Sequence, residues 1–140
     1  MKILEILTEK RKTGNIGERA AARFLKRNGY KIIERNYADS QNEIDIIAEN
    51  KEYTVFVEVK SRTVGHRSPK EPRPASAVNP EKQRKIISAA KYYTAFNREH
   101  KKLRFDIIEV YLTDEKKKKV KEILHLKAAF NYDTAMAKHR

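Results

Sequence analysis

The spacing of apolar residues changes along the chain, and each change predicts a different element. Between residues 14 and 29 the apolar positions recur every three to four residues, which predicts a helix capped by Asn15 and ended by Gly29. The same period returns from Asn79 to about residue 98, where Pro80 occupies the position that proline favours at a helix start. The pattern therefore predicts two helices separated by a long interval.

Runs of β-branched and aromatic residues predict strands in the rest of the chain. These runs cover residues 30–36, 43–49, 53–60, 103–112 and 120–126, the last as an edge strand. The order is one helix, three strands, a second helix and one or two further strands. Such an order is typical of an α/β fold with a single mixed β-sheet flanked by helices.

Residues 61–78 interrupt this pattern. They contain three prolines and several basic side chains but show no hydrophobic period. A connection of this length within a compact domain is typically functional or disordered, so we expect a mobile basic loop here. The chain as a whole is long enough for one core, and we expect a single domain over residues 1–140 with its core at about 14–130.

The charge of the chain indicates its partners. Its 32 Lys and Arg residues outnumber 19 Asp and Glu residues, which gives a net charge of +13. This excess predicts an anionic partner, and nucleic acid is favoured over a membrane because no stretch is both long and strongly amphipathic. The absence of cysteine excludes disulfides and thiol chemistry. It is compatible with the cytoplasmic location that we expect.

Two carboxylates and an amine stand out on the predicted hairpin. Strand side chains alternate between faces, so Glu58 and Lys60 project from the same side of their strand. A two-residue turn at residues 50–51, or a four-residue turn, would place Asp45 on that same face. A three-residue turn would instead place Asp45 opposite Val57 and separate the carboxylates. Either even turn therefore predicts a cluster of Asp45, Glu58 and Lys60.

This cluster suits metal-assisted hydrolysis of a phosphodiester. Paired carboxylates favour Mg²⁺ or Mn²⁺, which activates water and neutralises charge on a phosphate. Lys60 could orient the water or stabilise the transition state, and the backbone carbonyl of Val59 is a further candidate ligand. The alternative is a solvated Glu58–Lys60 pair. The flanking isoleucines and valines argue against it, since buried strands tolerate charges poorly unless these are paired.

Three other polar residues have two interpretations each. Glu18 either completes a capping box with Asn15 or faces the sheet near the acidic cluster, and the sequence favours neither. Gln83 begins the apolar stripe of the second helix, so it either makes a hydrogen bond at the edge of the core or contacts a substrate. Asp106 is better explained as a structural hydrogen-bond acceptor than as a catalytic residue.

Several short motifs together resemble the YraN family of uncharacterised bacterial proteins, over roughly residues 14 to 130. The motifs are Gly14-x-x-Gly17-Glu18-x-x-Ala21, Asn36-Tyr37, Glu43-Ile44-Asp45-Ile46-Ile47, Val55-Phe56-Val57-Glu58-Val59-Lys60-Ser61-Arg62, Val78-Asn79-Pro80-x-Lys82-Gln83 and Arg104-Phe105-Asp106. That family resembles a branch of the PD-(D/E)xK nuclease superfamily. The superfamily has a restriction-endonuclease-like core, also found in archaeal Holliday-junction resolvases and tRNA-splicing endonucleases.

The resemblance implies a role for each of five residues. Asp45 matches the first metal-binding aspartate, Glu58 the second acidic ligand and Lys60 the catalytic lysine. Glu18 matches the helical glutamate of the resolvase-like branch, and Gln83 matches the polar residue of the following helix. Resolvase-like relatives act as dimers, so a homodimer is also an expected state.

These observations lead to a functional hypothesis with one principal rival. We expect a nuclease that depends on Mg²⁺ or Mn²⁺ and hydrolyses DNA, either branched or single-stranded, with DNA favoured over RNA. The alternative is a non-catalytic nucleic-acid-binding module that keeps the nuclease fold. A scaffold protein in which the acidic cluster is structural is a third possibility. We find no base-reading motif, so recognition of nucleic-acid shape is expected rather than of sequence.

Overall fold

Three helices and five strands make up the part of the chain described by the computed structural model, which covers residues 2–39, 41–63, 78–97 and 101–136. In chain order they are α1 (Lys2–Arg27), β1 (Lys31–Ala38), β2 (Glu43–Glu49), β3 (Tyr53–Thr63), α2 (Pro80–Phe96), β4 (Lys102–Leu112), β5 (Val120–Phe130) and α3 (Tyr132–Met136). The strands form one sheet, which confirms the predicted single mixed sheet with flanking helices.

The order of strands in the sheet follows the chain, from β1 to β5. Neighbouring strands are antiparallel except β3 and β4, which are parallel at the centre. Parallel neighbours need a crossover connection, and α2 lies within the segment that joins them. β5 forms one edge of the sheet, as predicted, and extends to Phe130 rather than ending at residue 126.

The two sides of the sheet support separate hydrophobic clusters. Ala21 and Leu25 of α1 pack on one side with Ile46 and Val57. On the other side α2 packs on a cluster that includes Ile47, Phe56, Ile86 and Phe105. Alternating residues of β2 and β3 are therefore buried on both faces, as their continuous apolar sequence predicts.

The first helix begins earlier than its sequence pattern suggests. It starts at Lys2 rather than at Gly14, because residues 2–13 are rich in leucine, glutamate, lysine and arginine, which favour helix. The prediction that Asn15 caps the helix is therefore wrong, and Glu18 lies well inside α1. The predicted end is confirmed, since Gly29 follows the helix with a left-handed φ of 88°.

The second helix matches its predicted start closely. The Asn79 side chain accepts a hydrogen bond from the backbone N–H of Lys82 at 2.8 Å, and Pro80 is the first helical residue. The predicted stripe that includes Gln83, Ile86 and Tyr93 is buried. The first turn of α2 is therefore held in a fixed position beside the sheet.

The segment predicted as a mobile loop from residue 61 to 78 begins as strand. β3 continues to Thr63, which pairs with Leu112. Residues 64–77 of the predicted loop lie outside the described residues. Among the helices that the structure describes, none is both long and apolar enough to cross a membrane.

A close approach between α1 and β3 sets the position of the first helix. A Cβ atom added to Gly17 would lie 2.9 Å from Ser61 Cβ and would overlap the Ser61 hydroxyl. Gly14, one turn earlier in the same helix, has no such neighbour within 4 Å. The glycine at position 17 therefore lets the helix backbone lie against the strand that follows Glu58.

The two helical glycines should respond oppositely to alanine. Gly17→Ala should lower the free energy of unfolding by roughly 1–3 kcal/mol, because α1 must move away from β3. Gly14→Ala should raise it by up to about 1 kcal/mol, since alanine favours helix and fills open space. Urea unfolding of both variants measures the difference. Equal effects at the two positions would contradict the close packing of α1 on β3.

Candidate functional site

The hairpin between β2 and β3 has an even register. Ile46 pairs with Val57 and Glu49 pairs with Thr54, and the backbone N–H of Asn50 donates to the Tyr53 carbonyl at 3.0 Å, so residues 51 and 52 form the tip of the turn. The side chain of Asn50 accepts hydrogen bonds from the backbone N–H groups of Glu52 and Tyr53. This even register keeps Asp45 and Glu58 on the same side of the hairpin, although the tip lies at residues 51–52 rather than at the predicted 50–51.

β2 departs from regular pairing at Asp45. The pairing with β3 ends at Ile46, and the backbone N–H of Val59 donates instead to Asp45 Oδ2 at 2.8 Å. Ile44 and Ile46, two residues apart, also belong to clusters on opposite sides of the sheet. The Asp45 carboxylate therefore takes a place that a strand carbonyl would otherwise fill, and it is fixed against the β3 backbone.

Glu58 is buried beside Asp45. It is 9% exposed, and burial raises its pKa to about 8, with a hydrogen bond and charge repulsion from Asp45 adding to the effect. Burial and the neighbouring carboxyl group both favour the protonated form of Glu58 at neutral pH. We call Asp45 and Glu58 the acidic pair.

Lys82 contributes the ammonium group that lies against the acidic pair. Its Nζ atom is 3.7 Å from Glu58 Oε2, and its side chain is 39% exposed. Both Lys82 and Lys60 oppose the rise in the Glu58 pKa, and Lys82 has the larger effect. The sequence pattern indicates no role for Lys82, although this residue lies within a motif that resembles the YraN family.

Glu18 approaches the site from α1. Burial raises its pKa and the Asp45 carboxylate raises it further, while Arg35 acts in the opposite direction. Its buried Oε1 atom has no hydrogen-bond partner among the described residues, and Arg35 Nη2 lies 4.0 Å away. Of its two interpretations, the structure shows the one in which Glu18 faces the acidic cluster.

These side chains line one open cleft of about 840 Å³. Its polar lining is dominated by carboxylates, with two lysines. The residues are Glu5, Thr13, Gly14, Glu18, Glu43, Asp45, Glu58, Val59, Ser61, Thr63, Lys82 and Lys118. A cleft with five carboxylates and two lysines is locally acidic in a chain whose net charge is +13. Local charge therefore favours a cation in the cleft, whereas the charge of the whole chain favours an anionic partner.

Two residues predicted for the site, Lys60 and Gln83, are not among those that line the cleft. Lys60 is close enough to Glu58 to affect its pKa but is not among the residues that line the cleft. Gln83 is buried, and its side-chain amide donates to the Val78 carbonyl at 2.7 Å. The structure thus shows the core hydrogen bond that was one alternative for Gln83. Its contact with a substrate stays a prediction, as does the catalytic role of Lys60.

The residues that the structure describes include no group of three or more histidine, aspartate or glutamate side chains arranged to hold a metal ion. The acidic pair nevertheless fits a cation such as Mg²⁺, which typically takes one or two protein carboxylates and completes its shell with water or substrate oxygens. Asp45 and Glu58 would hold it, because their side chains are hydrogen-bonded to each other and line the same cleft. The carbonyl of Val59 stays a candidate ligand.

A second buried carboxylate, Asp106, has a different environment. Burial opposes its ionisation, but hydrogen bonds from His125, Arg104 and the Ala128 backbone hold its pKa below the usual range. Arg104 contacts both carboxylate oxygens, at 2.9 and 2.8 Å, and also donates to the Tyr30 hydroxyl. Asp106 is therefore a structural acceptor, as its sequence context favours.

Comparison with known proteins supports the motif resemblance. A model of the "Uncharacterised protein family UPF0102" matches residues 17–110. A UPF0102 protein of Acetivibrio thermocellus is 46% identical over 127 residues, which cover 86% of this chain and 92% of that protein. One from Caldanaerobacter subterraneus subsp. tengcongensis is 46% identical over 108 residues, or 76% and 85% of the two chains. The chain therefore belongs to the UPF0102 (YraN) family.

Proposed function

We propose that this protein is a nuclease that uses Mg²⁺ or Mn²⁺ to hydrolyse phosphodiester bonds in DNA, either branched or single-stranded. The observation that carries the proposal is the convergence of the Asp45 and Glu58 carboxyl groups in the cleft, with Lys82 against them. This arrangement provides the hard oxygen ligands and the positive charge that phosphodiester hydrolysis requires.

Each residue of the site has a role that follows from its contacts. The Val59 N–H fixes the Asp45 carboxylate, so its oxygen is oriented before a cation arrives. Burial of Glu58 makes the carboxyl pair costly to ionise without a cation, which favours exchange of its proton for a metal. A bound divalent cation would supply the charge that activates water and stabilises the phosphate. Glu18 adds a further carboxyl group to the cleft, from α1.

The choice of DNA rests on two further arguments. The net charge of +13 favours a polyanion, because phosphate contacts by lysine and arginine dominate nucleic-acid affinity. The resemblance to the resolvase-like branch favours DNA over RNA and favours branched substrates. Absence of a base-reading motif in the sequence is consistent with recognition of shape.

A non-catalytic nucleic-acid-binding module is the second candidate. It is favoured by the position of Lys60, which is not among the residues that line the cleft. In this alternative the acidic pair keeps its proton or binds a cation without cleavage. Cleavage assays with matched variants separate the two candidates.

The nuclease hypothesis predicts cleavage that depends on the acidic pair. Wild type with Mg²⁺ or Mn²⁺ should cut at least one of single-stranded, duplex, flapped or four-way-junction DNA. Asp45→Asn should reduce cleavage to background and remove metal binding, because it deletes one ligand. Lys60→Ala should abolish cleavage while leaving DNA binding nearly intact. Gel assays of end-labelled substrates measure each effect.

The control for this assay is Lys85→Gln, purified identically. Lys85 is exposed on α2 and pairs with Glu81 rather than with the acidic pair. Equal cleavage by wild type and Asp45→Asn would indicate a contaminating nuclease and contradict the proposal. DNA binding without cleavage of any substrate would favour the binding module.

The raised pKa of Glu58 predicts how stability depends on pH without metal. The pKa of Glu58 is about 8 in the folded protein, whereas its ordinary value is 4.5. Because the folded state holds this proton more tightly than the unfolded state, the free energy of unfolding falls as pH rises from about 4.5 to about 8. Glutamine carries no ionisable proton, so the stability of Glu58→Gln should not fall in this range. The variant should therefore become increasingly stable relative to wild type as pH rises from about 5 to about 8. Each pKa unit corresponds to about 1.4 kcal/mol, and the total should reach a few kcal/mol.

Urea unfolding in EDTA across this pH range measures the difference between wild type and Glu58→Gln. Saturating Mn²⁺ should reverse the order at the alkaline end, because only wild type keeps both carboxylates. Glu52→Gln, at an exposed position in the hairpin turn, is the matched control. If the free energy of unfolding depends on pH in the same way for wild type and Glu58→Gln, the burial of Glu58 beside Asp45 is contradicted.

A further inference from the structure

The ion pair between Lys82 and Glu58 joins a helix to the acidic pair. Lys82 lies in the first turn of α2, where its backbone N–H donates to the Asn79 side chain at 2.8 Å. Its Nζ atom lies 3.7 Å from Glu58 Oε2. The backbone of Lys82 is therefore fixed by the helix cap, whereas its side chain is partly exposed and borders the open cleft.

The Lys82 ammonium lies at a carboxylate oxygen of Glu58, the group that a cation would bind. An ammonium group and a divalent cation at the same carboxylate oxygen repel each other, at a cost that depends on solvent screening. Lysine has a flexible four-carbon stem, so its ammonium can leave Glu58 without moving α2. The geometry thus allows an exchange in which only a side chain moves.

We propose that Lys82 is a resident counter-ion of the acidic pair, which a divalent cation must displace from Glu58, so that this lysine sets the metal affinity of the cleft. The inference rests on the proposed function, since it assumes that Asp45 and Glu58 bind the metal. It goes further by assigning a regulatory role to a residue outside the Asp45, Glu58 and Lys60 set.

Neighbouring lysines do not share this position. Lys85 is almost one helical turn further along α2, and its Nζ is 3.7 Å from Glu81 Oε1. Lys60 has a smaller effect on Glu58 and is not among the lining residues of the cleft. A change of charge at position 82 should therefore affect metal binding in a way that the same change at position 85 does not.

The test is Mn²⁺ affinity measured by calorimetry on the full chain, without nucleic acid. Lys82→Gln removes the competing charge and should tighten Mn²⁺ binding roughly three- to tenfold. Lys82→Arg keeps the charge and should stay close to wild type. Lys85→Gln, an equal charge change on the same helix, should also leave the affinity unchanged. Thermal unfolding in EDTA checks that each variant is folded.

The possible results separate this inference from the proposed function. Tighter binding by Lys82→Gln alone supports the counter-ion role, which a merely structural ion pair would not produce. Unchanged or weaker binding by folded Lys82→Gln overturns it, and so does an equal gain by Lys85→Gln. If the Lys82 inference fails but wild type binds Mn²⁺ and Asp45→Asn does not, the proposed metal site still stands. If neither wild type nor Lys82→Gln binds Mn²⁺, both proposals fail.

Discussion

Glu58 is buried against the Asp45 carboxyl group, so a negative charge on Glu58 is costly unless a cation offsets it, and this constraint underlies the proposed site. The pKa of Glu58 rises to about 8 because the group is buried and because Asp45 lies beside it, so the fold disfavours a negative charge there. Lys82 offsets part of that cost at 3.7 Å from Glu58. The proposed ion binding would offset the cost of this pair, whereas buried charges rarely stabilise a fold by themselves.

The sheet and the helices α1 and α2 position the charged groups of the cleft. β2 leaves its regular pairing at Asp45, which lets the carboxylate accept a hydrogen bond from the Val59 backbone. α1 can lie close to β3 because Gly17 has no side chain, and this brings Glu18 to the cleft. The cap at the start of α2 fixes the backbone of Lys82. Each of these elements therefore adds at least one charged group to a common cleft.

The sequence predicted those features that depend on local rules. Strand alternation and an even register predicted that Asp45 and Glu58 lie on the same side, although not the break in β2 pairing at Asp45. The Asn79-Pro80 pair correctly predicted the start of α2. The predicted start of α1 was wrong because the apparent capping motif at Asn15 lies within a longer run of helix-forming residues. Lys82 was missed because its contact with Glu58 joins segments on either side of residues 64–77, and no periodicity reports such a contact.

The most direct test of the account is the number of protons released when wild type binds Mn²⁺ at pH 7. Calorimetry in two buffers with different ionisation enthalpies measures this number. If the acidic pair holds a proton that the metal replaces, close to one proton should leave per ion bound. Asp45→Asn should release none, because it binds no metal. Binding to wild type without proton release would show that the ion binds elsewhere or that the pair is already ionised, and would contradict the account.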